Sequence, residues 1–291
     1  MLPDEIYLFG IKSLPPIHMY GVCISIGLIC CLIAFYFLTN KAKMPTKMQD
    51  YIFFVLIVGL AAGFFFAMVF QAFYNWLNGK EFILGQGLTF MGGLVGGVGG
   101  FLIVYFIVGK FYFKGKEKNL HLKQFNTLAR VAPICICIAH GFGRIGCLMA
   151  GCCHGQYLGK EYVFGGILMH GTTNGLGYYV PTQLYEALFL FALAAVMTVL
   201  FFKKFNPMFT VYLIAYGIWR IFIEFLRSDY RGGVEGAILT PSQWFSVVFI
   251  LGGIALFLIF KFKKIPIFLD DKKEKEDISL IDTNKVEELE E

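Results

Sequence analysis

The sequence predicts an all-α integral membrane protein with seven transmembrane helices, an outside N-terminus, a cytoplasmic C-terminus and a small extracytoplasmic head. Three observations predict it. Of the 291 residues, 57% are hydrophobic and only 15% charged, against roughly a quarter charged in soluble domains. Seven apolar stretches each approach the ~20 residues that a helix needs to cross the hydrocarbon core. The basic residues between those stretches alternate between dense and sparse clusters, as orientation in a membrane requires.

Taken in order, the predicted spans are 17–39, 51–73, 88–109, 131–150, 181–202, 207–226 and 241–260. The first starts inside the chain without a small-residue cleavage site behind it, so it reads as a retained span and not a signal peptide. Pro45, the stretch Asn75 to Gly79, the lysines from Lys110 to Lys118 and the Gly-rich stretch 164–179 interrupt the apolar runs. Residues 1–264 form the membrane domain, with the head at about 151–179. Residues 265–291, rich in Lys, Asp and Glu, read as a disordered cytoplasmic tail.

Basic residues orient the bundle. The formal charge of +5 does not indicate nucleic acid, because position matters more than number. One set of links holds Lys41, Lys43, Lys47, Lys110, Lys114, Lys116, Lys118, Lys123, Arg130, Lys203 and Lys204, plus seven lysines from Lys261 to Lys285. The alternate set holds Lys12, Lys80, Lys160, Arg227 and Arg231. Eighteen against five places the first set inside.

Two basic residues remain, Arg144 and Arg220, and both lie within spans; Glu186 and Glu224 are the carboxylates within spans. A charge at the bilayer centre costs about 2.5–3.5 kcal/mol on insertion scales and usually marks a site. Spans four and six run outward and span five inward. Arg144 therefore lies ~9 Å below the outer end of its helix, with Glu186, Arg220 and Glu224 at similar depth. Tyr20, Met91 and Tyr216 enter that layer too. Arg220, Glu224 and Arg227 share one helix face. The planar fork of arginine suits phosphate, so the layer is expected to hold the phosphate of an outer-leaflet lipid. Mutual neutralisation of the four charges is the competing reading.

Other features carry less. Cys23, Cys30, Cys31, Cys135 and Cys137 lie in apolar runs and act as small hydrophobes. Cys147, Cys152, Cys153 and His154 lack the Cys-x2-Cys spacing of structural zinc sites; they read as small residues in a crowded turn, with redox activity of Cys152 and Cys153 left open, and no metal is expected. Gly92, Gly93, Gly96, Gly97, Gly99 and Gly100 are not followed by Gly-Lys-Ser/Thr, which excludes a P-loop. Small residues four apart permit close helix packing, although backbone N–H groups near Met91 could also line a headgroup pocket.

Five segments in order resemble the prolipoprotein diacylglyceryl transferase family. They are Tyr20-Gly21, Phe90-Met91-Gly92-Gly93-Leu94-Val95-Gly96-Gly97, the stretch from Gly143-Arg144-Ile145-Gly146-Cys147 to Gly151-Cys152-Cys153-His154-Gly155, Pro181-Thr182-Gln183-Leu184-Tyr185-Glu186, and Tyr216 to Arg227. The resemblance implies a multi-pass enzyme of the bacterial cell membrane, working without a cofactor. Its partners would be phosphatidylglycerol and the signal peptide of a prolipoprotein. It moves the diacylglyceryl group to the lipobox cysteine, forms a thioether and releases glycerol 1-phosphate.

The resemblance also implies roles. Arg144 and Arg220 would stabilise the departing phosphate, with Glu224 and Glu186 orienting them and Tyr20 beside the reaction. Gly143, Gly146, Cys147, Gly151, Gly155, Gly92, Gly93, Tyr216, Glu186 and Arg227 would contact substrate. Some positions depart from the family pattern: Met91 replaces a histidine, Cys147 an asparagine, Cys152 an acidic residue and Ile221 a phenylalanine. Methionine cannot take a proton from the acceptor thiol; His140, one turn before Arg144, is a candidate base, with His154 and His18 as further candidates and a purely structural histidine as the competing reading. A relative that binds or moves anionic lipid without thioether chemistry is the alternative.

Overall fold

The computed structural model describes residues 5–6, 17–171, 174–227 and 240–263. The expected cytoplasmic tail 265–291, Lys12 and Arg231 lie outside the described residues. In chain order the elements are β1 (Glu5–Ile6), β2 (Ile17–His18), α1 (Met19–Lys41), α2 (Thr46–Leu77) and α3 (Phe90–Ile103). The last runs through a π turn at Val104–Val108 into α4 (Gly109–Tyr112), and α5 (Leu120–Lys123) and α6 (Phe125–Met149) follow. Then come β3 (Tyr157–Gly159), β4 (Ile167–Gly171), β5 (Gly175–Tyr179), α7 (Thr182–Phe202), α8 (Met208–Glu224) and α9 (Pro241–Lys263). Six helical stretches among the described residues are long and apolar enough to cross a membrane: α1, α2, Phe90–Tyr112, α6, α7 and the Ser242–Ile259 part of α9. The sixth predicted span corresponds to α8, which has 17 residues and is ~26 Å long at 1.5 Å per residue.

The chain divides into two compact units, residues 39–128 and residues 1–38 with 129–291. In the first, α2 and α3 lie against each other along a stripe of small residues. A Cβ on Gly92 would meet the Phe66 carbonyl and the Phe70 side chain, and one on Gly96 would overlap Phe66. The stripe is thus a packing device, as small residues in lipid generally are. Gly96→Leu is expected to cost at least ~1–3 kcal/mol through overpacking, read as a lower midpoint of thermal unfolding in detergent. Gly99→Leu, where a Cβ meets nothing within 4 Å, should leave the midpoint unchanged. The π turn leaves carbonyls without their usual helical donors, and the Tyr51 hydroxyl donates to the Val104 carbonyl at 2.6 Å.

The second unit holds α7, α8, α9, most of α1 and α6, and the head. The head is not the irregular Gly-rich link that the all-α reading expected. It is an antiparallel sheet in the order β3–β5–β4, with Ile167 opposite Tyr179 and Gly171 opposite Gly175. Along β4 and β5 every second residue faces inward, and Met169 and Tyr179 are buried with Leu148 from the end of α6. Glycines among the strand residues hid this period of two: they are Gly171, Gly175 and Gly177. A Cβ on Gly171 or Gly177 would strike the ring of Tyr179 or Tyr157.

Candidate active site

The site begins with one carboxylate. Glu186 lies one turn into α7 and is completely buried, where an ionised group persists only with charged and hydrogen-bonding partners. Two guanidinium groups and a phenol supply them. Tyr216 donates its hydroxyl to Glu186 Oε1 at 3.0 Å, and Arg220 Nη1 donates to Oε2 at 3.5 Å. Arg144 Nε stands 3.0 Å from the same Oε2, but the N–H is not aimed at it, so the attraction is ionic and Nε lacks a hydrogen-bond partner. The four charges found in the spans therefore form one connected group, drawn from α6, α7 and α8.

The two arginines are used differently. Both Nη atoms of Arg220 are engaged: Nη1 with Glu186, while Nη2 donates to Ser242 Oγ at 2.9 Å and lies 3.4 Å from Glu224 Oε2, one turn on. Among the described residues, Arg144 has Glu186 as its ion-pair partner, and no hydrogen bond reaches its Nη atoms. Its side chain is only 14% exposed. A guanidinium held by its Nε side with its Nη edge uncommitted is a fork presented to an anion. Gly143, just before it, has open space where a Cβ would stand.

His140 is one turn before Arg144, with Nε2 3.9 Å from Glu186 Oε1 and its ring edge-on to Tyr216 at 5.3 Å between centroids. Tyr216 in turn stacks on Tyr212 at 5.7 Å. Tyr20 is half-exposed and crosses α6 at Gly146, where a Cβ would lie 3.0 Å from its Cδ2. The other two candidate histidines stand elsewhere. His154 is buried against Tyr179 in the head, its Nδ1 3.0 Å from the Gly155 carbonyl. His18 is exposed in β2 and pairs with Glu5.

Sequence reading missed Thr240 and Ser242. Both hold Glu224: Thr240 Oγ1 donates to Oε1 at 3.1 Å and Ser242 Oγ to Oε2 at 3.2 Å. The signal was present. Thr240-Pro241-Ser242-Gln243 is a capping box at the start of α9, with Gln243 Oε1 accepting from Thr240 N at 3.0 Å and Thr240 Oγ1 accepting from Gln243 N at 3.3 Å.

The end of α6 folds back on itself. Gly151 adopts a φ of +65°, in the region open to glycine, and a Cβ there would strike the His170 carbonyl. The start of α7 clamps the returning loop: Gln183 Nε2 donates to the Cys152 carbonyl at 2.6 Å and Thr182 Oγ1 to the Cys153 carbonyl at 3.0 Å. Gly155 packs on the backbone around Arg227, with which it forms a bridge; a Cβ would meet the Leu226 carbonyl. Gly151 and Gly155 thus serve close backbone approach. The turn also gathers three thiols, since the Sγ atoms of Cys147, Cys152 and Cys153 lie within 4.8 Å of one another. The spacing argument did not anticipate this grouping. Hydrogen bonding to Cys147 and Cys153, with burial, pushes the Cys152 thiol well above its ordinary range.

Gly92 and Gly93 belong to the other unit; Gly92 packs as given above, and a Cβ on Gly93 would make ordinary contact with Ala67 and Gly63 of α2. Met91 opens the same helix and is half-exposed.

Apolar helices around a buried, charge-compensated arginine–carboxylate group define a multi-pass membrane protein with an ionic site among its helices. The family model for prolipoprotein diacylglyceryl transferase matches residues 7–259, and the chain belongs to that family. It is 31% identical over 280 residues to a Clostridium tetani protein named phosphatidylglycerol–prolipoprotein diacylglyceryl transferase, covering 91% of this chain and 100% of the relative. A Clostridium perfringens transferase of the same name, numbered 2, is 30% identical, with 88% and 94% covered. One from Dehalococcoides mccartyi is 29% identical, with 79% and 85% covered.

Proposed function

We infer that the protein transfers the diacylglyceryl group of phosphatidylglycerol to the lipobox cysteine of exported prolipoproteins, the first step of lipoprotein maturation in the bacterial cell membrane. The observation that carries this reading is the buried Arg144 guanidinium, ion-paired through Nε to Glu186 with, among the described residues, no hydrogen bond at its Nη edge. The acceptor sulfur attacks the glycerol carbon, the carbon–oxygen bond to phosphate breaks, and glycerol 1-phosphate leaves. Negative charge gathers on the departing phosphate ester, where fixed positive charge in a dry site is most effective. Arg144 holds the phosphate oxygens, and Arg220, tied into Glu186, Glu224 and Ser242, sets the potential. The paired carboxylates keep the empty site neutral.

The acceptor thiol must lose a proton, for which a thiol near pKa 8.5 needs modest help. Met91 gives none, and His140 takes that role. Its position one turn from Arg144 and beside Tyr216 supports this. With α8 as the seventh span, the positive-inside pattern puts the N-terminus and the head outside, so the site faces the leaflet and compartment of exported precursors. The head stands where a signal peptide enters. Met91 also favours a second reading, a relative that binds anionic lipid without forming a thioether.

One assay separates the two. Purified protein in phosphatidylglycerol vesicles is expected to add a diacylglyceryl mass to a lipobox peptide, and Met91→His, run beside it, should be at least as fast. Headgroup-dependent lipid binding with no mass gain in the wild type, but a gain with Met91→His, would establish the second reading instead.

A further inference from the structure

The three thiols at the end of α6 carry no chemical step of the transfer reading, and they are arranged as ligands. Sulfurs bound to one metal ion at about 2.3 Å stand roughly 4 Å apart, and those of Cys147, Cys152 and Cys153 already lie within 4.8 Å of one another. None of the three is in a disulfide, and each is partly accessible, so an ion can reach them.

The backbone holds this arrangement without a ligand. Cys152 N donates to the Cys147 carbonyl at 3.1 Å, closing the turn, and the positive φ of Gly151 makes the reversal. Gln183 and Thr182, both fully buried, fix the carbonyls of Cys152 and Cys153. Cys153 itself has a φ of +61°, a conformation that residues with a Cβ rarely adopt and that tends to occur at functional positions. Adjacent cysteines chelate poorly as a pair when the chain is extended. Here the second is turned into a left-handed conformation, and the third ligand comes from the helix end five residues before the first.

We propose that Cys147, Cys152 and Cys153 form a binding site for one thiophilic metal ion of the Zn(II) or Cu(I) class. The donor set is all sulfur, which selects soft ions over Mg(II) or Ca(II), whose ligands are oxygens. Three metal–sulfur bonds form, three S–H bonds break, and the three protons pass to solvent; no atom changes oxidation state. Three protein ligands leave a further position open on a tetrahedral ion. The site is tested without the lipid-transfer reaction.

The test is a titration of the reduced full-length protein in detergent with Cd(II), followed by ultraviolet thiolate-to-metal charge transfer. The band should saturate at one ion per chain and be displaced by Zn(II). Cys147→Ser, Cys152→Ser and Cys153→Ser should each weaken binding at least about tenfold, a loss seen even for groups that only support metal ligands. Cys30→Ser, on α1, should leave it unchanged. As a check that needs no variant, Zn(II) should protect those three cysteines from maleimide labelling, mapped by peptide mass. A wild type without a saturating band, a band that persists in the folded triple variant, or labelling of the three thiols unaffected by Zn(II) would each overturn the site.

Discussion

Arg144→Gln is expected to slow diacylglyceryl transfer by about 10²–10³-fold, the loss that follows removal of one preorganised donor to a developing oxyanion. The measured quantity is the initial rate of thioether formation on a lipobox peptide in phosphatidylglycerol vesicles. Arg144→Lys should recover only part of that rate. Lysine restores the charge but as a point, whereas arginine in this structure has its Nε beside Glu186 and a planar edge of further donors beyond it. A lysine variant as fast as the wild type would show that charge alone suffices and that the fork is not used. The opposite pattern, with lipid binding retained and transfer lost in both variants, would place the effect on the departing phosphate and not on the bound lipid.

The largest expected effect on stability is that of Glu186→Gln. The glutamine keeps an acceptor for the Tyr216 hydroxyl but removes the charge that compensates both guanidinium groups. Breaking a buried ion pair by removing one partner costs about 3–5 kcal/mol, which for a chain of this size corresponds to a fall of roughly 10 °C in unfolding midpoint. Charge counting supplies a check. Arg144 and Arg220 against Glu186 and Glu224 sum to zero, Glu186→Gln leaves +1, and adding Arg144→Gln returns the group to zero. The double variant should therefore be more stable than Glu186→Gln alone, although it has lost one more native side chain. A further drop would mean that packing, not charge, governs the site.

Several parts of this arrangement were legible in the sequence. Apolar run length located the six helical stretches among the described residues that are long and apolar enough to cross a membrane, and α8 besides, at the sixth predicted stretch. The census of charges within spans selected Arg144, Glu186, Arg220 and Glu224 without any knowledge of contacts, because an ionised group in hydrocarbon needs a reason to be there. The β-strands of the head were not legible, since glycines at inward positions and a link of mixed composition obscure an alternation only a few residues long. Ser242 was missed because a hydroxyl at a helix start reads as a capping residue; Thr240 does serve as a cap and also bonds Glu224. The grouping of the three thiols was not legible, because spacing along the chain does not report the turn made by Gly151 and the positive φ of Cys153.

By itself, then, the sequence determined that this chain belongs in a bilayer, where its long helices run, and which few ionised groups they carry. Hydropathy is a sum over neighbours in the chain, and such sums survive without coordinates. Only the tertiary structure decided that one carboxylate on α7 serves guanidinium groups from α6 and α8, that both Nη atoms of Arg220 are bonded while, among the described residues, no hydrogen bond reaches those of Arg144, and that three sulfurs meet behind a glycine turn. Those facts depend on how each helix is rotated about its axis and on single backbone torsions, and a rotation of one residue's worth would separate the same charges without altering composition or hydropathy.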